Sequence, residues 1–257
     1  MTEKGEEIKV TYVCCNNNMQ LYNQMLAPSL QLLHQEYPNS VNWLIIDTIK
    51  KKYKGAAIAF NTELENNKEL LGDILVFCHN DIRFDNSDLH DYIVKTLYND
   101  RNQIIGVAGK DERNKVPSNL RYYENKQYIT KTRIEHPARV CSVDECCFAM
   151  TKELYFKIKF DEKVCFNWHL YAADICYAAS LFLNTKILVS NISIFHKMNG
   201  NAGLYTDSNF LRSMWLMVKK YHNKVNAIYT TAYLCSTNYL SALLQINRTA
   251  IKNIIKH

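Results

Sequence analysis

The chain has 257 residues, of which 47% are hydrophobic and 22% charged, so its composition is that of a globular protein with one large domain, or one domain with an appendage. These values exclude a chain that is disordered or fibrous as a whole. The net charge of +6 is too small and too dispersed to indicate nucleic-acid binding, which needs lysine and arginine clustered on one face.

The apolar pattern of the first 110 residues predicts a mainly parallel, open α/β sheet. Short apolar runs alternate with segments of helical periodicity, as they do in successive βαβ units. The predicted strands are 8–15, 41–47, 74–78 and 104–109, and the predicted helices are 21–33, 56–70 and 89–98.

The second half begins with a polar excursion over 111–139, which carries Pro117 and Pro137 and is typical of a substrate-binding segment. After it we predict strands at 143–150, 187–190 and 192–195, a short helix from 151, and helices at 168–183 and 209–221. Residues 225–257 are predicted to be helical, with a basic end formed by Arg248, Lys252 and Lys256. Two interpretations of that end stay open: a helix packed on the domain, or an amphipathic segment that touches an anionic membrane.

The nine cysteines indicate a reducing compartment and not a disulfide framework. Their number is odd, no Cys-x-x-Cys pair occurs, and the polar segment 1–7 contains no apolar signal region. A structural zinc site is therefore not expected. No run reaches the roughly eighteen apolar residues of a membrane span. We expect a cytoplasmic protein with mostly free, buried thiols.

Only seven glycines occur, and they form none of the common glycine-rich motifs. Neither the dinucleotide-binding G-x-G-x-x-G nor the P-loop G-x-x-x-x-G-K-[ST] is present. The G-x-S-x-G motif of α/β-hydrolases is absent too. A phosphorylated ligand would therefore have to be held by something other than a glycine-rich loop.

Polar side chains follow each of the first three predicted strands. Cys14, Cys15 and Asn16 end the first strand, Asp47 ends the second, and the segment His79-Asn80-Asp81 follows the third. In open parallel sheets, ligands bind outside the carboxyl ends of the strands. We therefore expect the site at this edge.

The spacing of His79 and Asp81 points both side chains to the same side of an extended segment. A carboxylate next to diphosphate oxygens suits Mg²⁺ or Mn²⁺, and an imidazole favours Mn²⁺. Such a cation would neutralise a leaving diphosphate, which would make a glycine-rich loop unnecessary. The alternative is that both are ordinary turn residues.

Four segments together resemble GT-A glycosyltransferases of the family 2 type, and most closely the bacterial branch whose metal motif reads H-x-D. They are ILVFCHNDIRF (74–84), VDECCFAMTKELY (143–155), FDEKVCFNWHLYAADICYAA (160–179) and IFHKMNG (194–200). The resemblance extends over residues 8 to 222. It implies a GT-A fold, that is, a mainly parallel open sheet flanked by helices, with a helical C-terminal extension.

The resemblance implies roles for individual residues. Asp81 and His79 correspond to the metal motif, and His196 to a late histidine that closes the metal or diphosphate site; the alternative for His196 is a histidine hydrogen-bonded at the end of an interior strand. The implied nucleotide-binding residues are Cys14 through its backbone, Asn16, Asp47, Asn61 and Asn80. Among these, Asp47 would read the base or ribose.

The catalytic base is where the chain departs from the family pattern. Tyr171 and Ala172 stand where family 2 inverting enzymes place an acidic pair. Asp174 is the remaining carboxylate of the motif, and it could act as the base or anchor the helix start. Asp144 and Glu145 are the substitutes that we consider.

Aromatic residues are the candidates for acceptor binding, because sugar faces stack on aromatic rings. These residues are Tyr122, Tyr123, Trp168 and Tyr171. The alternative is that they are ordinary, half-buried packing residues.

The resemblance implies an inverting hexosyltransferase that uses Mn²⁺ or Mg²⁺. It would move a sugar from a UDP-linked donor to a hydroxyl of a glycan or lipid-linked acceptor in bacterial surface polysaccharide synthesis. Residues 1–222 would form the glycosyltransferase domain, with a nucleotide-binding half (8–110) and an acceptor half (111–222), and 223–257 the extension. The protein would be cytoplasmic or peripheral to the inner face of the membrane.

Two other functions stay open. Ala172 in the base region favours a degenerate GT-A module that binds a nucleotide sugar or a partner without turnover. A nucleotidyltransferase is disfavoured, because the segment CCNNNMQLYN offers no glycine- and arginine-rich loop after the first strand.

Overall fold

The computed structural model describes residues 7–197 and 207–256, with side chains up to residue 253. Its strands are β1 (Val10–Asn16), β2 (Val41–Asp47), β3 (Ile74–Cys78), β4 (Ile82–Arg83), β5 (Gln103–Gly106), β6 (Gly109–Lys110), β7 (Arg121–Tyr122), β8 (Ala138–Arg139), β9 (Ser142–Val143), β10 (Cys147–Thr151), β11 (Lys186–Val189), β12 (Phe195–His196), β13 (Ala227–Tyr229) and β14 (Leu234–Ser236). Its helices are α1 (Met19–Gln24), α2 (Leu26–Glu36), α3 (Thr48–Lys51), α4 (Ala56–Asn66), α5 (Asp88–Asn99), α6 (Lys152–Ile158), α7 (Tyr171–Leu183), α8 (Ser208–Tyr221) and α9 (Tyr239–Lys256), with a 3-10 turn at Lys68–Leu70.

The core of the protein is a seven-stranded sheet in the order β2-β1-β3-β10-β5-β11-β8. Strand β1 pairs in parallel with β2 and β3, and β5 pairs in parallel with β11. Strand β10 runs antiparallel between β3 and β5, and β8 is antiparallel to β11 at the edge. The predicted mainly parallel open sheet is therefore confirmed, with β10 as an internal strand of opposite direction.

Both faces of the sheet are covered by helices, which explains why its central strands are apolar throughout. All five residues of β3 are buried, and they alternate between two apolar clusters. Leu75 and Phe77 belong to the cluster that contains buried residues of α4, α6, α7 and α8. Val76 and Cys78 belong to the cluster that contains buried residues of α2 and α5.

A small three-stranded sheet, β4-β12-β7, lies beyond the end of β3. Strand β12 pairs antiparallel with β4, so that His196 stands opposite Ile82, and in parallel with β7, so that His196 also stands beside Tyr122. The predicted polar excursion thus contributes β7 to this sheet and β8 to the edge of the main sheet.

Several predicted elements differ from the structure. The helix predicted over 21–33 is the two helices α1 and α2, the strand predicted over 104–109 is β5 and β6, and the strand predicted over 192–195 is the shorter β12. The single strand predicted over 143–150 is two strands, β9 and β10, because the chain turns at residues 144–146. The helix predicted from 225 begins only at Tyr239, since residues 227–236 form the antiparallel hairpin β13–β14. Ile228 and Cys235 face each other there and are both fully buried, a cross-strand pair that a helical reading of the sequence overlooks.

Within the described ranges, none of the helices combines the length and the apolar character that crossing a bilayer requires.

Gly55 permits a close approach between the start of α4 and the segment that precedes α7. The Ala56 N–H donates to the Asn167 carbonyl at 3.0 Å. A Cβ atom at residue 55 would lie 2.4 Å from that carbonyl oxygen. We expect Gly55→Ala to lower the free energy of unfolding by about 1–3 kcal/mol, the usual range for overpacking.

Urea unfolding measures this loss. Ser180→Thr is the control, because it adds a methyl group at an exposed position of α7 and should change stability by less than about 0.5 kcal/mol. An unfolding free energy of Gly55→Ala equal to that of the parent would show that the approach is not a packing constraint.

Candidate active site

His79, Asp81 and His196 come together beyond the carboxyl end of β3. Asp81 Oδ1 lies 3.8 Å from His79 Nδ1 and 3.2 Å from His196 Nε2. Each residue offers one ligand atom, and these atoms all lie within 4.8 Å of one another. The backbone holds the arrangement: His79 N–H donates to Cys146 O at 2.9 Å, and Lys197 N–H donates to Asp81 O at 2.8 Å.

The protonation chemistry of this cluster suits a divalent cation. Asp81 Oδ1 is buried and accepts no hydrogen bond of normal geometry from any described residue. Burial acts to raise the pKa of Asp81, but the neighbouring imidazoles outweigh it, so the pKa is lowered and the carboxylate is ionised. Burial lowers the pKa of His79, which keeps a ring nitrogen free to coordinate. An ionised carboxylate beside a neutral imidazole is a donor set that fits Mn²⁺ or Mg²⁺.

His196 differs from His79 in its protonation. Burial acts to lower its pKa, but Asp81 and Asp144 outweigh burial, and the pKa of His196 is raised. In the absence of a metal, a proton on His196 therefore serves as the counter-charge of Asp81.

Asparagines connect the end of β1 to the turn after β3. Asn80 Nδ2 donates to Asn16 Oδ1 at 2.9 Å and to Asn17 Oδ1 at 3.1 Å. Asn16 in turn stands opposite Asp47 in the register of β1 and β2. The structure therefore brings Asn16, Asn80 and Asp47 to one edge of the sheet. The Cys14 side chain is buried in the core, which leaves only its backbone for this edge.

Asp47 caps the short helix α3. Its Oδ1 accepts hydrogen bonds from the N–H groups of Ile49 at 3.1 Å and Lys50 at 3.0 Å. The hydrogen bond from Lys50 is the largest of the effects that lower the pKa of Asp47. Asp47 Oδ2 lies 3.4 Å from Lys50 Nζ at the surface.

Asn61 makes its contacts elsewhere. Its Oδ1 accepts from Tyr155 OH at 2.7 Å and from Phe160 N–H at 3.2 Å, and its Nδ2 donates to Phe160 O and Glu162 Oε1, both at 2.9 Å. These partners all belong to residues 155–162, and none is part of the His79–Asp81–His196 cluster. The contacts favour a role in fixing α4 to that segment.

Asp144 and Glu145 lie in the turn between β9 and β10, next to the cluster. Asp144 Oδ1 accepts from Cys146 N–H at 3.0 Å, and Oδ2 accepts from the Thr231 hydroxyl. Its charge acts on His196 and, among weaker effects, on His79. Glu145 Oε1 is buried and has no hydrogen-bond partner among the described residues.

Glu145 is an acid of unusually high pKa. Burial is the main cause and the charge of Asp144 the second, and together they raise the pKa of Glu145 to about 8. The N–H groups of Leu170 and Tyr171, at the start of α7, oppose this shift. A carboxyl group that titrates near pH 8 can exchange a proton at physiological pH.

Tyr171 connects Glu145 to His79. Its hydroxyl lies 3.3 Å from His79 Nε2 and donates to the Glu145 carbonyl at 3.5 Å. The ring is buried, so Tyr171 does not offer the open stacking face expected of an acceptor contact. Leu170, directly before it, adopts the left-handed region at φ 69, a conformation that is costly for a bulky residue and that occurs at functional sites.

Asp174 lies in a buried ion pair and not in the cluster. Lys220 Nζ is 2.9 Å from its Oδ1 and 2.8 Å from its Oδ2, and Tyr221 OH donates to Oδ1 at 2.8 Å. Lys220 also contacts Asp161 at 2.9 Å. These contacts occupy the carboxylate and hold α7 to α8, which favours the anchoring role over the role of base.

The remaining predicted acceptor residues lie around β12. Tyr122 stands beside His196 in the small sheet, and Tyr123 N–H donates to His196 O at 3.1 Å. The Tyr123 ring lies edge-on to Phe195. The side chain of Trp168, shortly before α7, is 39% exposed.

Two residues near the site were missed by sequence reasoning. Thr231, at the tip of the β13–β14 hairpin, donates its hydroxyl to Asp144, and nothing in its local sequence signals that contact. Burial is the main cause of the lowered pKa of His169, and electrostatic interaction with the nearby His79 lowers that pKa further. Its place in the motif, two residues before Tyr171, could have suggested it.

The chain is similar to known proteins in structure, and no similarity in sequence was found. No protein-family model matches the chain, and no curated protein matches it in sequence. The crystal structure of GalNAc-T7 with UDP, GalNAc and Mn²⁺ is similar, with a TM-score of 0.55 and 13% identity over 86% of this chain and 49% of that one. The chain thus spans about half the length of GalNAc-T7.

Two further structures are similar. TarS 1-349 from S. aureus in complex with UDP-GlcNAc has a TM-score of 0.52 and 13% identity, over 84% of this chain and 67% of that one. The mannosyltransferase PcManGT from Pyrobaculum calidifontis, in complex with GDP-Man and Mn²⁺, has a TM-score of 0.50 and 15% identity, over 85% and 64%. Together with the sheet topology, these similarities show that the chain has the GT-A fold of glycosyltransferases.

Proposed function

We propose that this protein is a metal-dependent glycosyltransferase. It moves a sugar from a nucleoside diphosphate to a hydroxyl group, and UDP is the nucleotide that we propose. The observation that carries the proposal is the ionised Asp81 carboxylate, whose buried Oδ1 lies between the His79 and His196 imidazoles at the ligand-binding edge of a GT-A sheet. The structures of GalNAc-T7 and PcManGT, which contain Mn²⁺ together with UDP and GDP-Man respectively, support it.

The donor side of the site is built from the ends of β1, β2 and β3. Asp81, His79 and His196 would hold Mn²⁺ or Mg²⁺, and the cation would supply positive charge for the departing diphosphate. The ionised Asp47 suits the hydroxyl groups of a ribose, and Asn16 and Asn80 offer amides at the same edge.

On the acceptor side, we assign the general base to Glu145. Its pKa of about 8 lets it take a proton from an acceptor hydroxyl and release it to solvent afterwards. Asp144 lies beside it and acts electrostatically on both histidines. Tyr122, Tyr123 and Trp168 are the aromatic residues that we propose for contacts with the acceptor.

Further parts of the proposal rest on the family resemblance. They are an inverting hexosyl transfer, a glycan or lipid-linked acceptor of bacterial surface polysaccharide synthesis, and a cytoplasmic location. We also keep the division into residues 1–222 as the transferase domain and 223–257 as an extension.

A second candidate function is nucleotide-sugar binding without turnover. The observation that favours it is that Tyr171 and Ala172 replace the acidic pair expected at the start of α7, while Tyr171 approaches His79. UDP binding by calorimetry, with no UDP release from any combination of donor and acceptor, would support this function.

Asp81 is expected to be indispensable for metal binding. Mn²⁺ with UDP should raise the melting temperature of the parent, and Asp81→Asn should weaken Mn²⁺ affinity by at least about tenfold because it removes the anionic ligand. Turnover, measured as UDP or GDP release from a panel of nucleotide sugars, should fall with it.

The matched control for this prediction is Asp85→Asn. Asp85 lies four residues away, pairs with Arg83 at 2.7 Å and is 51% exposed, so its loss should leave Mn²⁺ affinity unchanged. Equal Mn²⁺ affinity of folded Asp81→Asn and the parent would refute the metal assignment.

The pKa of Glu145 predicts how the rate of sugar transfer depends on pH. Because the base must be unprotonated and its pKa is about 8, the transfer rate should rise with pH up to about 8 and level off above it. Glu145→Gln should lower kcat by about 10²–10⁴ and abolish this rise, while UDP binding persists.

Asp174→Asn separates the two candidate bases. It should lower the free energy of unfolding by about 3 kcal/mol through the broken buried pair with Lys220. The rise of the rate with pH should persist in this variant. Loss of that rise in Asp174→Asn, with Glu145→Gln behaving like the parent, would assign the base to Asp174 instead.

A further inference from the structure

The outer face of α9 carries a stripe of exposed apolar side chains. Leu240, Leu243, Leu244 and Ile251 are 69%, 46%, 50% and 55% exposed. Their spacing of three, four and eleven residues from Leu240 places them on one side of the helix. We call these four residues the apolar stripe.

The opposite face of α9 is fixed to the domain. Ala242 is fully buried, and Ile246 and Ala250 pack against the main core. The Tyr233 and Thr249 hydroxyls are 2.8 Å apart, and Gln245 accepts a hydrogen bond from Ser236 N–H at 2.8 Å. The helix therefore cannot rotate to bury the apolar stripe within the same molecule.

The net positive charge of the chain comes from the region that carries this helix. Residues 208–257 contain seven lysines and arginines and no aspartate or glutamate. The first 207 residues contain the other 24 of the 31 basic residues and all 25 acidic ones, so the net charge of +6 comes entirely from the C-terminal region. On α9 itself, Arg248 and Lys252 are exposed and lie one turn apart on one side of the apolar stripe.

We infer that α9 docks the protein on the surface of an anionic lipid bilayer. A helix that lies in the membrane interface needs an apolar face that enters the headgroup region and cations that contact lipid phosphates, and α9 presents both on its free side.

The charges argue against a second copy of the chain as the partner of this face. A two-fold contact along α9 would place Arg248 and Lys252 of both copies in one interface. Residues 208–257 contain no acidic side chain that could neutralise them. A bilayer with anionic lipids supplies that negative charge.

Docking through α9 would also place the candidate site near the membrane, a consequence that rests on the proposed function. The hairpin that anchors α9 contacts the site, since Thr231 bonds Asp144 and Ser142 bonds the Tyr229 carbonyl. A lipid-linked acceptor would then reach the site from the surface to which α9 binds.

Vesicle flotation of the full chain tests the inference without nucleotide, metal or acceptor, so its failure would leave the proposed function untouched. The protein should float with phosphatidylcholine–phosphatidylglycerol vesicles, more weakly in high salt, and not with phosphatidylcholine alone. Leu244→Asp/Ile251→Asp should weaken binding by at least about tenfold. Arg248→Glu/Lys252→Glu should weaken it by at least about 25-fold, since each basic residue near the surface contributes about fivefold.

Leu70→Asp is the matched control, since Leu70 is 72% exposed in the 3-10 turn outside the C-terminal region and its change should leave binding unaltered. Circular dichroism establishes that each variant is folded. Absence of binding by the parent to anionic vesicles, or parental binding by both folded double variants, would overturn the inference. Self-association that the apolar variant abolishes, without vesicle binding, would instead make the stripe a contact between copies.

Discussion

The pairing of β12 with β4 and β7 is the constraint on which the candidate site depends. It places His196 against the turn that follows β3 and sets its Nε2 3.2 Å from Asp81 Oδ1. The Lys197 N–H, which donates to the Asp81 carbonyl, locks the same turn from its backbone side. Without this pairing, the Asp81 carboxylate would lose the protonated imidazole that offsets the cost of its partial burial. With it, the carboxylate stays ionised.

The sequence predicted best what depends on local pattern. The apolar runs at 41–47 and 74–78 are strands with those same bounds. The second of them is apolar throughout because it is buried on both faces of the sheet. The positions of Asp81, Asn16 and Asp47 at one edge followed from the parallel topology. Direction and long-range contacts were harder: the antiparallel course of β10 and the hairpin at 227–236 depend on tertiary pairing that no local period reveals.

The acidic residues of the site show the same limit. Three carboxyl groups that each have little access to solvent differ in their contacts because of partners that lie far away in the sequence. Asp174 meets Lys220, 46 residues later; Asp81 meets His196, more than a hundred residues later; Glu145 meets no hydrogen-bond donor at Oε1 among the described residues. A motif identifies such residues as candidates, but the partner decides whether a carboxylate anchors a helix, holds a cation or exchanges a proton.

The central claim is that Asp81 and the two histidines hold the cation that binds the donor diphosphate. A crystal structure of the protein with UDP and Mn²⁺ tests it most directly. The account predicts Mn²⁺ at about 2.0–2.3 Å from an Asp81 oxygen and from UDP phosphate oxygens, with the nucleotide along Asn16 and Asp47. UDP bound at this edge with Asp81 still paired to His196 and no metal between them, or Mn²⁺ held by other residues, would contradict it.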